Sequence, residues 1–313
     1  MSLRFTQKSA SVAQACDGAV GWYDGTYDYI LGGWTGGTTT LTKFWRSANG
    51  GASFSAQSDF SYPFHTAANC VVNNVLYLVG GDIYSPQPAN SNDYVRSSMK
   101  FEAGSWSTIA ADCDMADRCL SALVFLDDAF YLIGGQATTD KTGTVYNTVL
   151  RSDDGCANFT SILADTKAQG FGSGQVYGAC VAWRGLLWMI CGGVYDNDVV
   201  KREPDRHIFS SPDGITWTYR ADFAGVGRGY PECIVYNDRL YVIGGYNGMY
   251  GANLQGVWTI DLLADGRFIQ EFHLPTFSDR HAHSAWVSSA GILVFGGTSN
   301  AGLKSDCWLI EEL

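Results

Sequence analysis

The chain has 313 residues, 46% of them hydrophobic and 16% charged, with a formal net charge of −11. A chain of this length and apolarity can bury a large core. No stretch approaches the roughly 18 consecutive apolar residues of a membrane helix, which argues against membrane insertion, and the acidity opposes binding to phosphate backbones, which argues against a nucleic-acid partner.

In chain order, Leu3-Arg4-Phe5-Thr6 reads as a strand entered without the charged-then-apolar run of a signal peptide. The expectation is a protein that stays inside the cell or is incorporated into an assembly. Six short apolar runs then follow, each ending in a glycine pair: Gly32-Gly33, Gly80-Gly81, Gly134-Gly135, Gly192-Gly193, Gly244-Gly245 and Gly296-Gly297. Pairs recurring every 48 to 58 residues mark a repeat protein whose unit has room for about four strands. Runs such as Leu76-Tyr77-Leu78-Val79 and Phe130-Tyr131-Leu132-Ile133 have the composition of strands buried on both faces.

A second apolar run precedes each of these, across Asp24-Gly25, Asn73-Asn74, Asp127-Asp128, Arg184-Gly185, Asn237-Asp238 or Ala290-Gly291. Asn, Asp and Gly tolerate positive φ, so these read as tight hairpins. After each glycine pair a polar loop leads to a third strand and then an aromatic-containing fourth, as in Phe44 to Phe54, Val149 to Phe159 and Ile208 to Trp217. The fold class expected is all-β: a six-bladed β-propeller of four-stranded antiparallel blades, one domain over residues 1–313. The chain ends on a third-strand pattern, Cys307-Trp308-Leu309-Ile310, so Leu3–Thr6 should complete the sixth blade and close the ring.

Tyr-x-x-Gly-Gly followed by Trp or Phe resembles the kelch repeat. Five repeats keep Tyr or Leu three residues before the first glycine, and Met189 takes that place in the fourth. Ser47 to Phe54, Ser152 to Phe159 and Ser211 to Trp217 resemble the Asp-box turn of sialidase-like propellers, where it is structural. Kelch-type copper oxidases require a Tyr, Cys and His set on a seven-bladed ring that this chain does not carry, and no cofactor or metal is expected.

The nine cysteines are odd in number and form no Cys-x-x-Cys, which argues against a full disulfide framework. Cys70, Cys180 and Cys233 fall in inner strands, where Cys packs as a small apolar residue. Cys113 and Cys119 are close enough in sequence to pair in an oxidising compartment.

The resemblance places ligands at the mouth lined by the segments leading into the inner strands and by the loops after the glycine pairs. Arg118, Arg228 and Arg280 occupy equivalent positions there, with Phe64 and Gln175 in two other blades. Converging arginines suggest recognition of a carboxylate, sulfate or phosphate; the alternative is that they bridge neighbouring blades. His65, His281 and His283 fall in the same region, and His281-Ala282-His283 has a spacing compatible with metal binding, but two ligands do not make a site.

Two functional readings remain. One is a binding module for a glycan or protein, of the kind that serves as a subunit of an adhesin or receptor-binding assembly, with Trp34, Tyr84, Tyr94, Tyr195, Tyr246 and Tyr250 in the loops as contact residues. The long loops from Asp82 to Tyr94 and from Tyr195 to Arg206 favour it. The other is a sugar-acid epimerase or mutarotase, because similar six-bladed kelch proteins handle N-acetylneuraminate with central arginines and a carboxylate; Glu232 would be its general acid/base.

Overall fold

Alternation along each buried strand sends successive side chains to opposite faces, and here both faces meet a neighbouring blade. In the second strand of blade three, Phe130 and Leu132 pack towards blade two, whereas Tyr131 and Ile133 pack towards blade four. Repetition of this arrangement gives six separate cores, one at each blade interface. The computed structural model describes residues 1–37, 39–61, 63–82, 96–137, 145–166, 179–193 and 205–313. Among them no helix is long and apolar enough to cross a membrane.

The six four-stranded antiparallel sheets form a closed ring. Their inner strands are Val20–Tyr23, Ala68–Val72, Ala122–Leu126, Ala179–Trp183, Glu232–Tyr236 and Ser284–Ser288. The hairpins between first and second strands carry the expected left-handed residues, for example Asn73 and Asn74 (φ 51° and 67°) and Asp127 and Asp128 (φ 48° and 60°). Phe54, Phe159 and Trp217 stand just before the fourth strands, which run Ser55–Ala56, Thr160–Leu163 and Thr218–Asp222. The turns leading there are tied by serines. Ser152 Oγ donates to Asp154 Oδ1 (2.8 Å) and accepts from Cys156 N (2.9 Å), while Ser211 makes the matching bonds to Asp213 and Gly214.

Blade four departs from the sequence alignment by one residue. Ile190 pairs with Ala179 as Ile133 pairs with Ala122, so Cys191 and Gly192 occupy the places held elsewhere by the glycine pair. Their φ values, 58° and 135°, are both left-handed, and Gly192 N donates to Arg228 O as Gly245 N donates to Arg280 O. Trp188, not Met189, therefore takes the Tyr position. A cysteine accepts a conformation that glycine adopts more readily.

The N-terminal strand, Leu3–Ser9, pairs antiparallel with Cys307–Glu312, matching Phe5 with Ile310 and Gln7 with Trp308. Leu3 and Phe5 pack into the core between blades five and six. Deleting residues 1–9 should leave the outer edge of blade six unpaired and uncover that core. The expected outcome is a lower melting temperature and aggregation in size-exclusion chromatography, and a variant that melts and elutes like the full chain would contradict closure by this strand.

All nine cysteines are free thiols. Cys113 Sγ donates to Arg96 O (2.9 Å) and Cys119 Sγ to Gln136 O (3.5 Å), so the two point at different carbonyls and form no disulfide.

Candidate functional site

Five of the six inner strands are entered through a described residue in the left-handed region: Gly18, Thr66, Leu120, Tyr230 and Ala282 have φ between 49° and 61°. These turns interlock around the axis. Leu120 N donates to Thr66 O, Thr66 N to Gly18 O and Gly18 N to Ala282 O, at 3.0, 2.9 and 2.7 Å. One residue earlier, the chain bridges to the segment just past the glycine pair, joining Asp17 to Trp34, His65 to Asp82, Gly229 to Tyr246 and His281 to Thr298. One mouth of the ring is thereby built from short backbone bridges that bring Trp34, His65, Tyr246 and His281 to it.

The three arginines stand at this mouth, but their guanidiniums are turned into their own blades. Arg118 Nη1 donates to Gly134 O (3.2 Å), Arg228 Nη1 to Gly244 O (2.8 Å) and Arg280 Nη1 to Gly296 O (3.1 Å). In each case the acceptor is the first glycine of that blade's pair. The backbone carbonyls of the same arginines accept from the second glycine of the preceding blade, as in Gly81 N to Arg118 O (3.2 Å) and Gly245 N to Arg280 O (2.8 Å). Each arginine thus fastens two successive glycine turns, the preceding one with its backbone and its own with its side chain. Arg280 also forms a two-pronged pair with Asp306 (2.9 and 3.0 Å) inside blade six. All three are at most 4% exposed, and burial lowers Arg118 to about 10. The guanidiniums, expected from the sequence to converge on an anion or to bridge neighbouring blades, are bonded within their own blades.

Between blades one and two, His65 lies sandwiched by carboxylates, Nε2 3.3 Å from Asp17 and Nδ1 3.6 Å from Asp82. Burial works against its charge, but the flanking Asp17 and Asp82 carboxylates outweigh that and raise His65 to about 9. Thr298 Oγ1 donates to the other Asp17 oxygen (2.5 Å), which ties blade six into the cluster. His281 lies in register with His65 and contacts the rings of Tyr230 and Tyr246, centroids 5.2 Å away in both cases. With the Asn253 amide oriented to satisfy its neighbours, its NH2 donates to His281 Nδ1. Burial lowers the His281 pKa, opposed by the charge of Asp17. Sequence reasoning missed Asp17 and Asp82; the available signal was register, since Asp17 matches His65 and Asp82 directly follows a glycine pair.

Trp34 is partly buried, its Nε1 donating to Gly37 O (3.1 Å) and its ring 6.4 Å from that of His65. Tyr250, by contrast, is 62% exposed beside exposed Met249, at the tip of a hairpin pairing Tyr246–Asn247 with Ala252–Asn253. Buried Asn247 fixes this hairpin by donating to Gly227 O (2.8 Å) and accepting from Tyr250 N (3.2 Å). Tyr84, Tyr94, Tyr195 and Gln175 lie outside the described residues, as do nearly all of the two long loops.

The six inner strands enclose an axial cavity of about 840 Å³, lined by residues including Asn69, Tyr23, Glu232, His283 and Trp286. Glu232 faces it without a counter-ion, since Arg228 is committed to Gly244. Burial raises the Glu232 carboxyl to about 8. His283 is 2% exposed, and neither ring nitrogen has a hydrogen-bond partner. Burial, with the charges of Arg280 and His281, drives its pKa well below the usual value. Among the described residues no group of three His, Cys, Asp or Glu side chains could hold a metal ion.

A family comparison matches the Kelch motif to residues 227–265, a span covering the first three strands of blade five and its mouth hairpin. No curated protein matches the chain. The matched blade shares its glycine turn, its arginine staple and its strand order with others in the same closed ring of six, and the chain is accordingly a six-bladed β-propeller with a kelch motif in blade five.

Proposed function

We propose that this propeller is a binding scaffold that docks a protein partner on the mouth carrying the glycine turns. Kelch propellers generally mediate protein interactions. The observation that carries the reading is the blade-five hairpin, on which a buried asparagine holds Met249 and Tyr250 out in solvent at 47% and 62% exposure. A large apolar pair presented on a preorganised turn loses little conformational freedom on binding and has the chemistry of an interface anchor. Val226, 41% exposed, stands in the segment bonded to this hairpin through Gly227. Tyr246 and Trp34 would line the inner side of the same surface.

A protein is favoured over a glycan because the Trp34, Tyr230 and Tyr246 rings are partly buried against their own scaffold, which leaves Tyr250 as the broadly exposed ring among these mouth aromatics. Against the sugar-acid epimerase stands the burial of all three arginines, each turned into its own blade with Nη1 on a glycine carbonyl. The test is cross-linking in extracts of the source cell, comparing the native chain with a Met249→Asp, Tyr250→Asp variant of unchanged melting temperature. The expected result is a protein cross-linked to mouth residues and lost in the variant. Capture indifferent to both substitutions would sink the reading, and retention of a sugar on a glycan array, abolished by Tyr250→Ala, would replace it with a lectin.

A further inference from the structure

Each blade ends in an outer strand whose far edge faces away from the ring, and five of the six blades blunt that edge. The fourth strand of blade one is only the two residues Ser55–Ala56, and the outer strands of blades two, three, four and six each pair with a break in register, a common protection against further pairing. Blade five differs. Its outer strand, Phe268–His273, pairs in unbroken register with Val257–Leu262, from Leu262 opposite Phe268 to Val257 opposite His273. The hairpin closes with Leu263 N donating to Arg267 O (2.8 Å). By antiparallel alternation the amides and carbonyls of Ile269, Glu271 and His273 then point into the blade, and those of Phe268, Gln270 and Phe272 point out of it. Side chains along this edge are apolar and open: Ile269 is 43% exposed, Phe272 49% and Leu274, just past the strand, 65%. No lysine or proline guards the strand itself.

We propose that this edge pairs with the same edge of a second copy of the chain, joining two propellers rim to rim through one continuous antiparallel sheet. The outward backbone groups meet about a two-fold axis through Gln270. Phe268 then stands opposite Phe272 of the second copy, and Ile269 opposite its Glu271, each contact occurring twice by symmetry. Charge selects this register. An axis through Glu271 would set two carboxylates directly against each other, whereas the axis through Gln270 leaves Glu271 opposite an apolar side chain and diagonal to Arg267 of the second copy, an opposite charge. The surface is the rim of the ring, not its mouth, so the inference goes beyond the docking proposed above and stands without it.

One strand from each copy is a small interface, so the association belongs to the weak, reversible class. Sedimentation equilibrium of the full chain at about 5 to 500 µM, the range such an interface calls for, should show a monomer–dimer equilibrium. Ile269→Glu sets a carboxylate opposite Glu271 at both contacts and should raise the dissociation constant about tenfold or more. Adding Glu271→Lys makes both contacts opposite in charge and should restore dimerisation. Both side chains are exposed, so both variants should melt like the native chain. A native chain that stays monomeric throughout would overturn the proposal and leave the edge to a strand of another protein. A dimer unmoved by Ile269→Glu, or a double variant no tighter than the single one, would overturn it equally.

Discussion

Replacing Arg280 with alanine should destabilise the protein by about 3 to 5 kcal/mol, the usual result of removing one partner from a buried charge pair. The guanidinium is fully buried and bonds to Gly296 O, to Ser278 O and to both oxygens of Asp306. Its loss strands a carboxylate that is largely buried; burial raises the Asp306 pKa, but the bond and charge of Arg280 hold it below the ordinary value. Arg280→Lys should recover only part of the loss, because a single ammonium cannot span the carbonyl and the two carboxylate oxygens. Arg118→Ala should cost less, about 1 to 3 kcal/mol, since its partners are the carbonyl of Gly134 and the Thr148 hydroxyl, and Ser121 also donates to that carbonyl. Urea denaturation of the three proteins gives the order directly. If Arg280→Ala unfolded at the native midpoint, the staple would be dispensable and a ligand-binding role for the guanidinium would regain its force.

The second large effect is a loss of stability in alkaline solution. His65 has an unfolded pKa of 6.5 and a folded pKa of about 9, so between these values the native state holds a proton that the unfolded chain does not. Stability from this imidazolium is fully present below pH 6.5 and lost as pH rises through 9. Roughly 3 kcal/mol is at stake, from the size of the shift. Glu232 acts in an overlapping window. Its folded pKa of about 8 against 4.5 unfolded makes burial of the carboxyl neutral in cost below pH 4.5 and progressively unfavourable up to pH 8. The two contributions separate by substitution. His65→Gln, a neutral donor to Asp17 and Asp82, should flatten the fall between pH 6.5 and 9. Glu232→Gln should leave that fall in place and remove the one at lower pH. A native protein equally stable at pH 6 and pH 9.5 would exclude a charged His65 in the fold.

Turn chemistry and period were legible in the chain. Paired Asn, Asp and Gly mark hairpins because few residues accept positive φ, and apolar runs that bury both faces mark strands packed between neighbours. Six in-phase copies of these signals leave little choice of architecture, and the third-strand pattern at Cys307–Ile310 already required Leu3–Thr6 as its partner. Three things were decided only in the folded ring. In blade four, Gly192-Gly193 satisfies the motif as written, whereas strand pairing places Cys191 and Gly192 in the left-handed turn. The reach of each arginine depends on the glycine carbonyl that the fold brings back beside it sixteen residues later, and a side chain's direction has no signature in spacing alone. The carboxylates around His65 come from separate segments, Asp17 in blade one and Asp82 beyond the glycine pair of blade two. Electrostatics of this kind arises from proximity in space, which strand period and turn composition do not encode.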